Sequence, residues 1–546
     1  MTDWQSRAAD KRSRIASSIP SEWNIPSTIP DDKATFDYPS TSGVLSAQEL
    51  ELTSLSATEL VQKLSKGQVK SVDVTLAFCK RAAVAQALTN CVHEFFPELA
   101  LKQAKALDEY FEKEGKVVGP LHGLPISLKD QLRVKGLETS MGYVSWLGKY
   151  DEEDSVLTAL LRKAGAVFYV KTSVPQTLMV CETVNNIIGR TTNPRSKNWS
   201  CGGSSGGEGA MVGLRGGIIG VGTDIGGSIR IPSAFNFLYG IRPSHGRMPY
   251  GKMANSMEGQ ETVHSVVGPI AHSAQDLRLF LTSVLSEKPW EYDSKVVPLP
   301  WRTAEEDAAK AKLKSGLTVG FYNFDGNVLP HPPVLRGVDL VVESLKKNGH
   351  KVVPWAPYKH DSAVDLINKI YVADGCADVY KDINASGEPA IPNIKDLLNP
   401  DLPKANMNEA WDANLQKWNF QMDYLNKWRE FEAEHGELDC IVAPISPTAA
   451  IRHNQFKYYG YASAINLLDF TSVVVPVTFA DKNVDGKNES FKPVSDMDKT
   501  VQEEYDPEAY HGAPVAVQVI GRKLSEEKTL AIAEEVGRLL GNVNTP

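Results

Sequence analysis

The sequence predicts an α/β protein in which a mixed, mostly parallel central sheet is covered by helices on both faces of a single large domain. Three observations predict it. Short apolar runs alternate with helical patterns along most of the chain. The runs are almost continuously apolar, as strands buried on both faces are. No Gly/Ser-rich or charged linker divides the chain, and its 546 residues, 42% hydrophobic and 23% charged, suffice for a large core.

Taken in order, residues 1–44 are polar and rich in Ser and Pro. They read as an N-terminal arm along the surface, with one short helix before SIPSEWNIPSTIP. Residues 45–546 form the main domain, with a catalytic core over about 90–540. Ser56 and Glu59 make a capping box, Leu60, Val61 and Leu64 form the apolar face, and Gly67 ends that helix. A longer helix, SVDVTLAFCKRAAVAQALTN, runs to about Asn90. The strand-like runs are LPISLKD (124–130), AVFYVKT (166–172), LTVGFY (317–322), HKVVPW (350–355), DCIVAPIS (439–446), TSVVVPVT (471–478) and VAVQVIG (515–521). Residues 286–314 read as an insertion. Residues 375–435 form a helical insertion in which Trp411, Leu415 and Trp418 recur at i, i+4 and i+7, with Leu425 and Trp428 further along, a stripe expected to face the core. An amphipathic helix ending at Gly541 closes the chain.

Composition removes several functions. The net charge is −9 and the basic residues are dispersed, which excludes a nucleic-acid partner or an anionic membrane surface. No apolar run reaches membrane-spanning length, and MTDWQSRAADKRSR lacks a signal core. Six scattered cysteines without CxxC spacing read as reduced thiols and no metal site. A cytoplasmic enzyme acting on a small uncharged molecule is the expectation.

Residues 201–234, CGGSSGGEGAMVGLRGGIIGVGTDIGGSIRIPSA, hold twelve glycines and neither histidine nor lysine. So much backbone freedom serves either to cradle a phosphate or to expose serines and amide N–H groups for chemistry on a carbonyl. A GxxxxGK[ST] loop needs a lysine, and GxGxxG fails because Ile225 stands where the third glycine belongs. In TDIGGS, by contrast, Ser228 follows two glycines, where a tight turn can raise its hydroxyl while successive amides converge as an oxyanion hole. Serine needs a base. His122 and His245 lie in Gly/Pro-punctuated turns and read as structural, so the base to look for is a lysine held neutral.

The stretch 202–233, together with GLPISLKD containing Lys129, resembles the amidase signature family in its glycines, serines and spacing. KTSVPQT (171–177), SVVGPIAHS (265–273), DCIVAP (439–444) and GAPVAVQVIGR (512–522) extend the resemblance over about 90–540. It is most marked toward a fungal branch of that family acting on small aliphatic amides, acetamide first. One departure is His272, where the wider family has arginine.

The resemblance implies Ser228 as nucleophile, Ser204 as a bridging serine in a cis peptide, and Lys129 as base. It implies an oxyanion held by the backbone N–H groups of Ile225, Gly226, Gly227 and Ser228, and an acyl-enzyme, with no metal or organic cofactor. Ser205 is excluded as the bridge by spacing, and Asp224 and Arg230 are expected to hold the loop. Leu178 falls at a position that contacts substrate in relatives, and a core role stays equally open. Family habit points to a homodimer. The alternatives are an amidase for longer acyl amides or anilides, and an ammonia-delivering amidotransferase subunit. The acidic balance and the lack of a basic RNA-facing patch count against the second.

Overall fold

The computed structural model describes residues 3–25 and 35–541. Part of the 1–44 arm and the last five residues lie outside them. Eleven strands form one sheet: β1 (Val92–Phe95), β2 (Pro125–Lys129), β3 (Val167–Thr172), β4 (Ile219–Asp224), β5 (Tyr239–Arg242), β6 (Val266–Ala271), β7 (Thr318–Phe321), β8 (Lys351–Pro354), β9 (Cys440–Pro444), β10 (Ser472–Phe479) and β11 (Pro514–Ile520). Their order across the sheet is β1-β3-β2-β4-β6-β5-β10-β11-β9-β7-β8. Every residue of β2, β3, β4, β6, β9 and β11 is buried, so both faces are covered. The α/β fold with a mixed, helix-covered sheet is as expected.

Strand direction is the correction. The sheet is not mostly parallel: six of its ten neighbouring pairs are antiparallel and four are parallel. A strand covered on both faces is apolar whichever way its neighbours run, so a continuous apolar pattern reports burial and not direction. All seven strand-like runs form strands. β1, β4, β5 and β6 escaped the pattern, β4 because IGVGTD carries glycine where a strand reading looks for branched side chains.

The arm is helical over Trp4–Ser17, started by Asp3, whose carboxylate accepts from the Ser6 N–H at 2.6 Å. Lys11 on this helix is fully buried and ion-paired with Glu94 and Glu138. The stretch expected as a helical insertion contains helices Ala377–Ser386, Pro392–Leu397 and Met407–His435. Its aromatic stripe needs correcting in its first half only, since Trp428 is buried as expected. Trp411, Leu415 and Trp418 are 64%, 49% and 60% exposed. The buried seam of this helix is Phe420, Tyr424 and Trp428, which packs on Trp355 and Phe470. A helix of 29 residues with apolar side chains on two faces offers two seams of helical spacing, and only one is turned to the protein.

Candidate active site

β2 and β4 run parallel, with Ser127 beside Gly220 and Leu128 beside Val221, so Lys129 and Thr223 emerge together at the ends of adjacent strands. Lys129 Nζ lies 2.7 Å from Ser204 Oγ and 2.7 Å from Thr223 Oγ1. The lysine is fully buried. Burial lowers its pKa to about 7, against the opposing pull of Asp224 and Glu208. That leaves a substantial neutral fraction near neutral pH.

Ser204 precedes helix Gly206–Gly213, and the Gly203–Ser204 peptide bond is cis. The Ser205 N–H donates to the Ser228 carbonyl at 3.2 Å, and its hydroxyl donates to the Thr223 carbonyl at 3.3 Å. Ser205 thus ties the two glycine-rich loops together from behind.

Two residues that the sequence reading missed orient the lysine. Thr223 Oγ1 donates to Gln131 Oε1 at 2.8 Å, while Gln131 Nε2 is held by Tyr250 Oη at 2.8 Å and the Ala254 carbonyl at 2.7 Å. An amide oxygen can only accept, so the threonine proton belongs to Gln131 and Lys129 must donate to Thr223. The neutral amine's lone pair is then free to face Ser204. Glu208 is also close. Its buried carboxyl, raised to about 8 by burial, accepts from Ser127 at 2.5 Å and Thr172 at 2.8 Å. Thr223 stands inside the matched stretch, but nothing in its spacing marks the role. Gln131, Glu208 and their partners become visible only through tertiary placement.

Ser228 sits in the turn between β4 and helix Arg230–Phe235, and 6% of its surface is exposed. Asp224 organises the turn. Its carboxylate accepts from the Gly227 N–H at 2.9 Å, the Ile229 N–H at 3.1 Å, Arg230 Nε at 3.1 Å and Asn466 Nδ2 at 2.8 Å. Burial pushes this carboxyl up, but Arg230 and these donors hold it well below the usual range. The architectural role expected of Asp224 and Arg230 matches this geometry. Gly227 has φ +126°, and a Cβ there would lie 2.7 Å from Ile231 Cδ1 and 2.8 Å from Ala462 Cβ, so no other residue fits. The Gly227 N–H, expected among the oxyanion donors, already serves Asp224. The N–H groups of Ile225, Gly226 and Ser228 have no protein acceptor among the described residues.

These residues open onto a cavity of 290 Å³ lined by Ser228, Ile225 and Gly226 on one side and by Leu178, Met179, Tyr371 and Tyr459 among others. A larger groove of 1080 Å³, between residues 255–262 and the helical segments, contains none of Lys129, Ser204 or Ser228. His122 and His245 line neither. His272 is half-buried and bonded through Nε2 to the Val212 carbonyl at 2.7 Å, so it braces the helix that follows Ser204.

The fold and the serine-rich site define a hydrolase of the amidase class: the chain belongs to the amidase family, whose model, described as "Amidase", matches residues 73–530. It is an amidase. Among characterised proteins it is similar to an acetamidase of Emericella nidulans, 73% identical over 545 residues that cover 100% of this chain and 99% of the relative. It is also similar to an acetamidase of Aspergillus oryzae, 70% identical over 541 residues and covering 99% of both chains. The solved structure of a fatty acid amide hydrolase superposes with a TM-score of 0.93 at 35% identity, covering 99% of this chain and 95% of that one. Among the described residues no helix is long and apolar enough to cross a membrane.

Proposed function

We propose that this amidase hydrolyses small aliphatic monocarboxylic amides, acetamide first, to the carboxylate and ammonia through Ser228, Ser204 and Lys129. The observation that carries the mechanism is the buried Lys129 amine, lowered toward neutrality and 2.7 Å from Ser204 Oγ, together with a cavity that Ser228 lines. Two relatives named acetamidase, at 73% and 70% identity over the whole chain, support the substrate.

Lys129 takes the proton of Ser204 as Ser204 takes that of Ser228, and Ser228 Oγ attacks the amide carbonyl. The oxyanion of the tetrahedral intermediate accepts from the free amides of the 225–228 turn. The proton returns through Ser204 to the departing nitrogen, ammonia leaves, and water deacylates Ser228 by the same relay. The six cysteines are free thiols, which supports a reducing, cytoplasmic setting. The partners are the amide and, by family resemblance, a second copy of the chain.

One observation favours a wider range. The 290 Å³ cavity, with Leu178, Met179, Val180, Leu397 and Phe456 in its wall, has room and apolar lining for acyl groups beyond acetyl. Ammonia release from acetamide, propionamide, hexanamide and acetanilide, beside Ser228→Ala and Lys129→Ala, tests the reading. Fastest turnover of acetamide, lost in both variants, upholds it. Preference for hexanamide or acetanilide overturns the substrate, and an active Ser228→Ala overturns the mechanism.

A further inference from the structure

The roof of the nucleophile turn comes from outside the glycine-rich stretch. Tyr371 ends helix His360–Tyr371, is buried, and donates its hydroxyl to the Ile225 carbonyl at 2.7 Å. Its Oη would stand 3.2 Å from a Cβ placed on Gly226, with the Tyr459 ring 3.9 Å away on the same side, so the two rings cover that glycine. Helix His360–Tyr371 packs in turn on helix Gly460–Leu468, which carries Asn466 to Asp224.

A peptide unit is planar and trans, so the C=O of one residue and the N–H of the next point in opposite directions along one plane. Holding the Ile225 oxygen therefore holds the Gly226 N–H. That N–H is one of the amides left without a protein acceptor beside Ser228. Glycine at 226 would otherwise let this plane rotate more readily than any other residue. Asp224 pins the next amide, of Gly227, from the far side of the turn. The Ile225–Gly226 plane has its side-chain anchor in Tyr371.

We infer that Tyr371 is a positioning residue for amide hydrolysis: by anchoring the Ile225 carbonyl it aims the Gly226 N–H at the oxyanion formed on Ser228. The inference rests on the proposed role of Ser228. It places an element of the catalytic geometry in a helix distant in sequence from the signature, where no motif would find it. The phenol is buried and stays protonated, so it remains a donor throughout the working pH range.

The test is Tyr371→Phe, which keeps the ring and removes only the hydroxyl. Removing an oxyanion donor outright costs on the order of 10²–10³ in kcat, and a donor left present but loosely aimed is expected to cost about tenfold to a hundredfold. KM for butyramide should change little. An alkyl boronic acid, which forms a tetrahedral adduct on the serine, should weaken by the same factor as kcat, with the melting temperature within a few degrees of the parent. Unchanged kcat and boronate affinity overturn the inference. A rise in KM with kcat retained also overturns it, because it makes Tyr371 a substrate contact. Should Tyr371→Phe fold poorly, Gly226→Ala carries the test: a Cβ there would stand 3.2 Å from Tyr371 Oη and crowd it off the Ile225 carbonyl, so kcat and boronate affinity should fall together, and full retention of both overturns the inference. Full activity and boronate binding in Ser228→Ala would refute the underlying reading of the site, and that result is distinct from any shown by the Tyr371 and Gly226 variants.

Discussion

If Lys129 is the base, the pH dependence of kcat/KM belongs to it. Burial brings its pKa from 10.5 to about 7, a displacement worth on the order of 5 kcal/mol between its two protonation states. An unperturbed lysine would be neutral in roughly one molecule in three thousand at pH 7, whereas here about half the molecules carry a free lone pair. The expected profile, measured as initial ammonia release at low amide concentration, is a plateau above about pH 8 and a tenfold fall per unit below about pH 7. Enzyme held at each pH and returned to neutrality separates titration from inactivation. A profile flat down to about pH 5, or a single break near pH 10, would refute the assignment. Stability follows with a definite sign. The folded pKa lies below the unfolded one, so between about 7 and 10.5 the unfolded chain binds the proton that the folded chain lacks, and folding strengthens as pH rises through that window. Lys129→Met should remove this dependence together with activity.

Three further outcomes are expected. Thr223→Val deletes the acceptor that fixes the lysine and should lower kcat about tenfold or more, with Thr223→Ser restoring most of it, as steady-state kinetics would read. Gly227→Ala forces a side chain to within 2.7 Å of Ile231 at φ +126°, so it should both inactivate the enzyme and lower its thermal midpoint. Arg230→Met leaves Asp224 buried without its cation and should cost about 3–5 kcal/mol in denaturant unfolding, far more than a surface arginine would.

Lys129 and Ser204 lie 75 positions apart in sequence and 2.7 Å apart in the fold; what singled them out in the sequence was the resemblance of their stretches to the amidase signature, whereas the glycine-rich turn itself pointed only to Ser228. Strands buried on both faces were equally visible. What sequence could not give was orientation. Apolar continuity does not distinguish parallel from antiparallel neighbours, and helical spacing in Met407–His435 did not tell which of two apolar seams meets the protein. Glycine hid β4, although that strand carries Thr223 and Asp224 into the site. Gln131 and Tyr371 act through partners more than ninety residues away, and their local context holds no trace of it.

The Trp4–Ser17 helix is more than trim. Lys11 supplies a cation to Glu138, whose backbone oxygen accepts from Lys171 at 2.7 Å, and Lys171 pairs at 3.2 Å with Asp130, the residue directly after Lys129. Deleting the first seventeen residues takes Lys11 and Arg14 from a carboxylate that is almost wholly enclosed. The vacancy opens three links from the Lys129 amine. A shortened chain is therefore expected to lose stability where Glu138 is ionised and to regain part of it as that carboxyl protonates, with turnover altered as well, so that the first turns of the protein, polar as they read, belong to the working enzyme.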